Sequence, residues 1–208
     1  MRSRLLTLIL LCAVPTALAQ AAVILVLGDS LSAGYGIDLE HGWVSQLAAR
    51  IERAGLPHQV VNASVSGETT SGGLTRLPAL LERHRPSVLV IELGANDGLR
   101  GWDLGVIQDH LTRLVVQGRE AGAQVLLIGV RLPPNYGVSY NDRFQAVWMQ
   151  VAAEQGVPLV PDLLKGVAED WDLMQPDGLH PTAEAQGRIL DNVWPILEPV
   201  LLGVEEKR

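Results

Sequence analysis

The chain has 208 residues, a length that suits one domain with a buried core. Its apolar fraction of 48% and its mean hydropathy of +0.20 are typical of a globular protein and argue against intrinsic disorder. The formal net charge of −7 disfavours binding to nucleic acid and to anionic membrane surfaces.

The first 19 residues have the pattern of a secretory signal peptide. Arg2 and Arg4 precede a ten-residue apolar run, and Ala17-Leu18-Ala19 supplies the small residues of a cleavage site. The apolar run is too short to span a bilayer. We therefore expect residues 1–19 to be removed and residues 20–208 to form one domain, periplasmic or secreted, with no stable membrane insertion after cleavage.

Removal of this segment would also remove the single cysteine, Cys12, and two of the arginines. The mature chain would then have no disulfide and 14 basic against 23 acidic side chains, a net charge of −9. An exported protein of this composition must rely on its hydrophobic core for stability.

Short apolar, β-branched runs alternate with amphipathic stretches along the mature chain. The runs predict five strands, at 23–27, 59–63, 88–93, 125–130 and 157–160. The amphipathic stretches predict helices near 42–54, 74–84, 104–120, 140–155 and 182–201. Pro195 and Pro199 should kink or end the last of these helices. The alternation predicts a three-layer α/β fold, in which helices cover both faces of a five-stranded parallel sheet.

Polar residues follow the predicted strands at the edge where ligands bind in such sheets, beyond the carboxyl ends of the strands. Ser30 follows the first strand, Gly67 the second and Asn96 the third. Asp177 and His180 follow the fifth strand and precede the last helix. All five residues should therefore lie at one edge of the sheet.

These residue types are those of a serine esterase. A serine hydroxyl attacks a carbonyl once a base takes its proton, and a neutral imidazole such as His180 can accept that proton and later give it to the leaving group. Asp177 would orient the imidazole and stabilise its charged form. The backbone amides of Ser30 and Gly67 and the side-chain amide of Asn96 are candidate donors to the oxyanion. This chemistry requires no metal and no cofactor.

Four blocks of the sequence closely resemble the SGNH, or GDSL, hydrolase superfamily, whose name refers to its serine, glycine, asparagine and histidine. The blocks are residues 28–34, 61–67, 94–101 and 177–181. Residues 132–137 and 192–195 are similar to the periplasmic group of multifunctional acyl-CoA thioesterases, lysophospholipases and arylesterases. The resemblance extends over essentially the whole mature chain.

The resemblance implies a flavodoxin-like sheet of five parallel strands. It implies a metal-free catalytic triad of Ser30, Asp177 and His180, and an oxyanion hole formed by Ser30, Gly67 and Asn96. The implied substrates are carboxylic esters, including lipid esters, and thioesters, cleaved through an acyl-enzyme. The negative charge disfavours the polyanionic acyl-CoA as the natural substrate. The sequence leaves the oligomeric state open.

Three tryptophans have two possible roles: Trp102, Trp148 and Trp171. They could narrow an acyl pocket or pack within the fold, and we expect packing for each of them.

Two other functions compete with ester hydrolysis. One is a metal-dependent phosphoesterase that uses Asp29, Asp97, Asp177 and His180 as ligands, although such sites need several convergent carboxylates and histidines. The other is a non-catalytic periplasmic binding module that uses the same crevice. A metal chelator would test the first, and a serine-reactive phosphonate would test the second.

Overall fold

The computed structural model describes residues 22–203, so the predicted signal peptide lies outside the described residues. The strands are β1 (Ala22–Gly28), β2 (His58–Asn62), β3 (Val88–Glu92), β4 (Gln124–Ile128) and β5 (Leu159–Val160). The helices are α1 (Ser30–Ala33), α2 (Trp43–Arg53), α3 (Thr70–His84), α4 (Ala95–Leu99), α5 (Leu104–Glu120), α6 (Val138–Gln155) and α7 (Gln186–Leu201). Three short 3-10 helices lie at Leu39–His41, Pro134–Tyr136 and Trp171–Leu173.

The five strands form one parallel sheet in the order β2-β1-β3-β4-β5. Strand β1 lies between β2 and β3, so that Ile24 pairs with both Val60 and Val88. The chain moves to one side of β1 for β2 and to the other side for β3. This change of direction is the topological switch point at which open α/β sheets bind ligands. The predicted parallel sheet is confirmed.

The longer helices form two packed groups on the sheet. Helix α5 packs against both α3 and α6, while α2 packs against α7. The helices pack through apolar faces, as helix α5 shows. Its apolar residues recur at helical spacing and are all buried: Ile107, Leu111, Leu114 and Val115. None of the helices within residues 22–203 is long and apolar enough to cross a membrane.

Of the two predicted effects of Pro195 and Pro199 on the last helix, a kink or an end, the end does not occur. Helix α7 continues through Pro195 and Pro199 as far as Leu201. Each proline removes one backbone hydrogen bond. However, buried apolar side chains recur every four residues along one face of the helix, and their packing holds it against the core on both sides of each proline: Ile189, Val193, Leu197 and Leu201.

The structure also changes some element boundaries. Helix α3 begins at Thr70 rather than near residue 74, because the Thr69 hydroxyl caps its first turn by accepting from the Gly72 N–H at 3.2 Å. The short helices α1 and α4 were not predicted, since four or five residues carry no measurable periodicity. Strand β5 has only two residues.

The three tryptophans differ in environment. Trp148 is buried and Trp102 is partly buried against the core, so packing is confirmed for both. Trp171 is 75% exposed, and the prediction that it packs within the fold is wrong. It lies in the 3-10 helix Trp171–Leu173, none of whose residues is buried.

Close packing of α5 on the sheet gives a stability prediction. A Cβ atom at Gly118 would lie 2.7 Å from Leu89 Cδ2 and 3.0 Å from Val125 Cγ2. Gly118→Ala should therefore lower the free energy of unfolding by about 1–3 kcal/mol through overpacking. This loss should occur although alanine is the better helix former. Urea denaturation followed by circular dichroism measures the change.

Gly187→Ala in α7 is the matched control. A Cβ atom there would meet only Gln46 Oε1, at an ordinary 3.7 Å. Helix propensity should then dominate and raise the free energy of unfolding by up to about 1 kcal/mol. Equal effects of the two substitutions would show that the close contacts at Gly118 do not limit the packing.

Candidate active site

Ser30 lies where β1 ends and the short helix α1 begins. The Asp29 carboxylate caps this turn, because its Oδ1 accepts from the Leu31 N–H at 3.0 Å. Gly28 allows Ser32 and Glu92 to pack closely against the backbone of this turn. A Cβ atom at position 28 would lie 2.7 Å from the Ser32 Cβ and 2.8 Å from Glu92 Oε2. The turn thus fixes Ser30 at the carboxyl edge of the sheet.

His180 and Asp177 lie on the loop before α7. His180 Nε2 is 2.9 Å from Ser30 Oγ, and His180 Nδ1 is 2.7 Å from Asp177 Oδ2. Since the carboxylate accepts from Nδ1–H, Nε2 is the nitrogen that can accept the Ser30 hydroxyl proton. The structure therefore brings together the three predicted residues in the order carboxylate, imidazole and hydroxyl.

Asp177 has the properties of an ionised partner for the histidine. Burial alone would raise its pKa, but hydrogen bonds outweigh that effect. The His180 ring and the backbone N–H groups of Leu179 and His180 donate to the carboxylate and lower the pKa to about 2. The carboxylate therefore stays charged across the neutral range and stabilises a protonated imidazole.

The three candidate oxyanion donors lie on neighbouring segments. Within residues 22–203, neither the Ser30 N–H nor the Gly67 N–H donates to a protein acceptor. Gly67 has a φ of +79°, a conformation that favours glycine. The Asn96 side chain donates one hydrogen to Asp29 Oδ2 at 3.1 Å, and its second amide hydrogen remains available.

Two carboxyl groups are buried directly behind Ser30. Glu92 Oε2 accepts from the Ser32 hydroxyl at 2.7 Å and from the Asp29 N–H at 3.3 Å. Burial raises the pKa of Glu92 well above its ordinary range, and the neighbouring Asp29 carboxylate raises it further. Burial also raises the pKa of Asp29 to about 6, against the opposing hydrogen bonds from the Leu31 N–H and the Asn96 amide. Burial therefore favours the protonated form of Glu92, whereas the two amide donors favour the charged form of Asp29.

Asp97 links the two segments that carry Asn96 and Gly67. Its buried carboxylate accepts from the Thr70 hydroxyl and from the Thr70 N–H, the latter at 3.0 Å to Oδ2. Thr70 begins α3, three residues after Gly67, while Asp97 directly follows Asn96. The link fixes the relative position of the two candidate oxyanion segments.

Gln175 connects the loop of His180 to the segment after α1. Its Nε2 donates to the Tyr35 carbonyl at 2.8 Å and to the Pro181 carbonyl at 2.9 Å. Its backbone N–H donates to the His180 carbonyl at 2.7 Å. One side chain therefore joins the segments that carry the two reacting atoms, Ser30 Oγ and His180 Nε2.

The residues proposed as metal ligands are otherwise engaged. Asp29 accepts from Asn96, Asp97 accepts from Thr70, and Asp177 accepts from His180. Across residues 22–203, no three histidine, cysteine, aspartate or glutamate side chains are grouped in a way that could hold a metal ion.

Sequence reasoning missed several residues that shape this site. Glu92 had a detectable signal, an acidic residue that ends an otherwise apolar strand. Thr70 and Gln175 had none, because an isolated threonine or glutamine fits any exposed segment equally well. Only the folded arrangement reveals their partners.

Comparisons with known proteins show which proteins this chain resembles. The chain is 48% identical over 201 residues to Esterase TesA of Pseudomonas aeruginosa, covering 97% of this chain and all of that protein. It is 43% identical to an Arylesterase of Vibrio mimicus, over 91% of this chain and 95% of that protein. It is 41% identical to Thioesterase 1/protease 1/lysophospholipase L1 of Escherichia coli (strain K12), over 88% and 86% of the two chains.

A solved structure shows the same fold. The crystal structure of TesA superposes with a TM-score of 0.85 at 49% sequence identity, covering 86% of this chain and 99% of that one. The sequence profile of the GDSL-like Lipase/Acylhydrolase family matches residues 26–188. The resemblance noted from the four sequence blocks is thereby confirmed, and the chain belongs to the GDSL-like lipase/acylhydrolase family.

Proposed function

We propose that this acylhydrolase cleaves carboxylic esters and thioesters through an acyl-enzyme formed on Ser30 Oγ. The observation that carries the proposal is the continuous pair of contacts from Ser30 Oγ to His180 Nε2 and from His180 Nδ1 to Asp177 Oδ2. The names of the three relatives support aryl esters, acyl thioesters and lysophospholipids as substrate types.

In the first half of the reaction, Ser30 Oγ attacks the substrate carbonyl carbon while its proton moves to His180 Nε2. The carbonyl π electrons move to oxygen and give an oxyanion. The N–H groups of Ser30 and Gly67 and the Asn96 amide donate to this oxygen. His180 then gives the proton to the leaving oxygen or sulfur, the bond to carbon breaks, and an alcohol, phenol or thiol departs.

In the second half, a water molecule loses a proton to His180 Nε2 and attacks the acyl carbon. The second oxyanion collapses, the bond to Ser30 Oγ breaks, and the proton returns to that oxygen. A carboxylic acid is released and the enzyme is regenerated. Asp177 stays ionised in both halves and stabilises the imidazolium each time it forms.

We assign Gln175 a positioning role in this reaction. It touches neither Ser30 Oγ nor His180 Nε2, but its bonds to the Tyr35 and Pro181 carbonyls fix the two segments that carry these atoms. A displacement of about 1 Å between reacting groups can reduce a rate roughly a hundredfold. The side chain therefore acts through the separation of the nucleophile and the base.

We also propose that residues 1–19 are an export signal and that residues 20–208 form a single periplasmic domain. The basic start, the apolar run and the Ala17-Leu18-Ala19 site support this proposal. In this compartment, lipid and small-molecule esters are the expected substrates rather than acyl-CoA, since the chain is acidic and coenzyme A is polyanionic.

Ser30→Ala tests the nucleophile. We expect kcat for nitrophenyl esters and acyl thioesters to fall more than about 10³-fold, because the variant lacks the oxygen that lies 2.9 Å from His180 Nε2 and would form the acyl-enzyme. Steady-state assays over a series of acyl lengths measure the loss. Ser45→Ala on α2 is the control, since this hydroxyl bonds only the Leu39 carbonyl and lies outside the site.

Two further assays separate the competing functions. A serine-reactive phosphonate should add to the wild type but not to Ser30→Ala, as seen by mass spectrometry, whereas a binding module would remain unlabelled. A chelator should leave the ester hydrolysis rate unchanged, whereas a metal-dependent phosphoesterase would lose its activity. Retention of most activity by Ser30→Ala would overturn the assignment of the nucleophile.

The value of kcat/KM should fall with pH on the acidic side only. The ionised Asp29 carboxylate accepts from the Asn96 amide, so kcat/KM should fall as the pH drops below about 6, the pKa of Asp29. Asp177, with a pKa of about 2, should not contribute to this fall. A rate that stays flat between pH 5 and 8 would contradict the requirement for ionised Asp29.

Asp29→Asn tests whether the ionised form of Asp29 is required. The side chain at position 29 is then uncharged at every pH, so Asn96 faces an amide in place of a carboxylate. We expect a lower plateau of kcat/KM and a shallower acidic limb, because protonation of Asp29 no longer contributes to the fall. An unchanged slope would show that Asp29 protonation does not affect the reaction.

Gln175→Ala tests the positioning role. We expect kcat to fall roughly 10–100-fold with little change in KM, because substrate binding persists while the reacting atoms separate. Gln175→Glu should behave similarly, since a carboxylate cannot donate to two carbonyls. Gln46→Ala is the matched control, as its amide donates to the His41 carbonyl at 2.8 Å on an exposed surface.

Combining Gln175→Ala with His180→Ala distinguishes a positioning role of Gln175 from a general destabilisation of the fold. In His180→Ala, Gln175→Ala should cause no further loss of the residual rate, although it should lower the melting temperature as much as in the wild type. An additive loss of rate would show that Gln175 acts on the fold rather than on the position of His180.

A further inference from the structure

We propose that an exposed aromatic surface beside His180 binds the leaving group of the ester and favours neutral aromatic leaving groups. The surface, which we call the leaving-group platform, consists of Tyr35, Trp171 and Leu179. The proposal rests on the function proposed above and extends it to a choice among alcohols, phenols and thiols.

The first observation is where the exposed aromatic side chains lie. Among residues 22–203, Tyr35 and Trp171 are the aromatic side chains exposed to solvent, at 52% and 75%. Both contact the loop that carries Asp177 and His180. Leu179 on the same loop is 38% exposed. An exposed apolar patch next to a reactive centre indicates a ligand surface, whereas single exposed apolar residues scattered elsewhere do not.

The second observation is how closely the two rings approach the reactive loop. The Tyr35 ring centroid lies 4.4 Å from that of His180, with an angle of 38° between the planes. The Trp171 ring lies over Gly178, since a Cβ atom there would be 3.4 Å from two of the ring carbons. The two aromatic residues therefore contact residues on either side of Leu179.

The reaction chemistry assigns this surface to the leaving group. His180 Nε2 must donate a proton to the departing oxygen or sulfur, so that atom has to lie on the histidine side of the tetrahedral carbon. The oxyanion points away from it, towards Gly67 and Asn96. A group attached to the departing atom therefore extends over the residues next to His180, which are those of the platform.

The charges around the platform restrict the leaving group further. Asp170 and Asp172 flank Trp171 in the chain, and both are exposed. Two carboxylates at this position disfavour a negatively charged leaving group such as coenzyme A. An uncharged aromatic ring can stack on Tyr35 or Trp171 without this repulsion.

A pair of esters with the same acyl group isolates the platform. A phenyl ester and an ethyl ester of one short acid form the same acyl-enzyme, so the leaving group affects only the steps up to acylation. These steps are reported by kcat/KM. We expect Trp171→Ala to lower kcat/KM about 5- to 10-fold more for the phenyl ester than for the ethyl ester, as expected for the loss of one aromatic contact.

Conservative variants show whether the aromatic ring itself is required. Trp171→Phe and Tyr35→Phe should keep most of the phenyl preference, while Tyr35→Leu should reduce it. Met149→Ala, which removes an equally exposed apolar side chain from α6, should leave the preference unchanged.

A 4-carboxyphenyl ester should react more slowly than the phenyl ester in the wild type, and Asp172→Asn should narrow that difference.

The outcomes that overturn the platform differ from those that overturn the nucleophile. Equal losses for the phenyl and ethyl esters in Trp171→Ala would disprove the platform while Ser30→Ala still abolished activity. A changed preference among acyl-chain lengths, with the leaving group held constant, would assign the surface to the acyl chain and also contradict the proposal. Activity that survives Ser30→Ala would overturn the proposed function whatever the preference ratio shows.

Discussion

The hydrogen bond between Ser30 Oγ and His180 Nε2 is the interaction on which the rest of the site depends. It is 2.9 Å long and joins residues that are 150 positions apart in the chain. Because the two residues are so far apart in the chain, no local backbone structure holds this hydrogen bond. Several contacts between distant segments must maintain it together. The Asp29 cap fixes the serine, the Asp177 carboxylate fixes the imidazole, and Gln175 ties the two segments to each other.

The two buried carboxyl groups lie in different environments although their chemistry is the same. Burial inside the protein raises the pKa of Glu92 and favours its protonated form, whereas two amide donors stabilise the charged form of Asp29. The Asn96 amide is one of those donors and is also a candidate oxyanion ligand. The protonation state of the buried Asp29 therefore affects the orientation of the Asn96 amide, which would face the substrate.

The sheet explains why the two sides of the site have different characters. Donors from the ends of β2 and β3 converge on one side, where Thr70 and Asp97 hold them in place. The other side is formed by the long loop after β5, on which Trp171 and Leu179 are exposed. A rigid polar side can stabilise the oxyanion, while an open apolar side can accept leaving groups of different size.

The sequence by itself predicted the parallel α/β fold and the placement of Ser30, Gly67, Asn96, Asp177 and His180 at one edge of the sheet. It could do so because buried strands are apolar throughout and because active residues follow strand ends. Tertiary structure decided the continuation of α7 through Pro195 and Pro199, the exposure of Trp171 and the contacts of Gln175. Each of these depends on packing or hydrogen bonding between distant segments, and local sequence patterns carry no information about such partners.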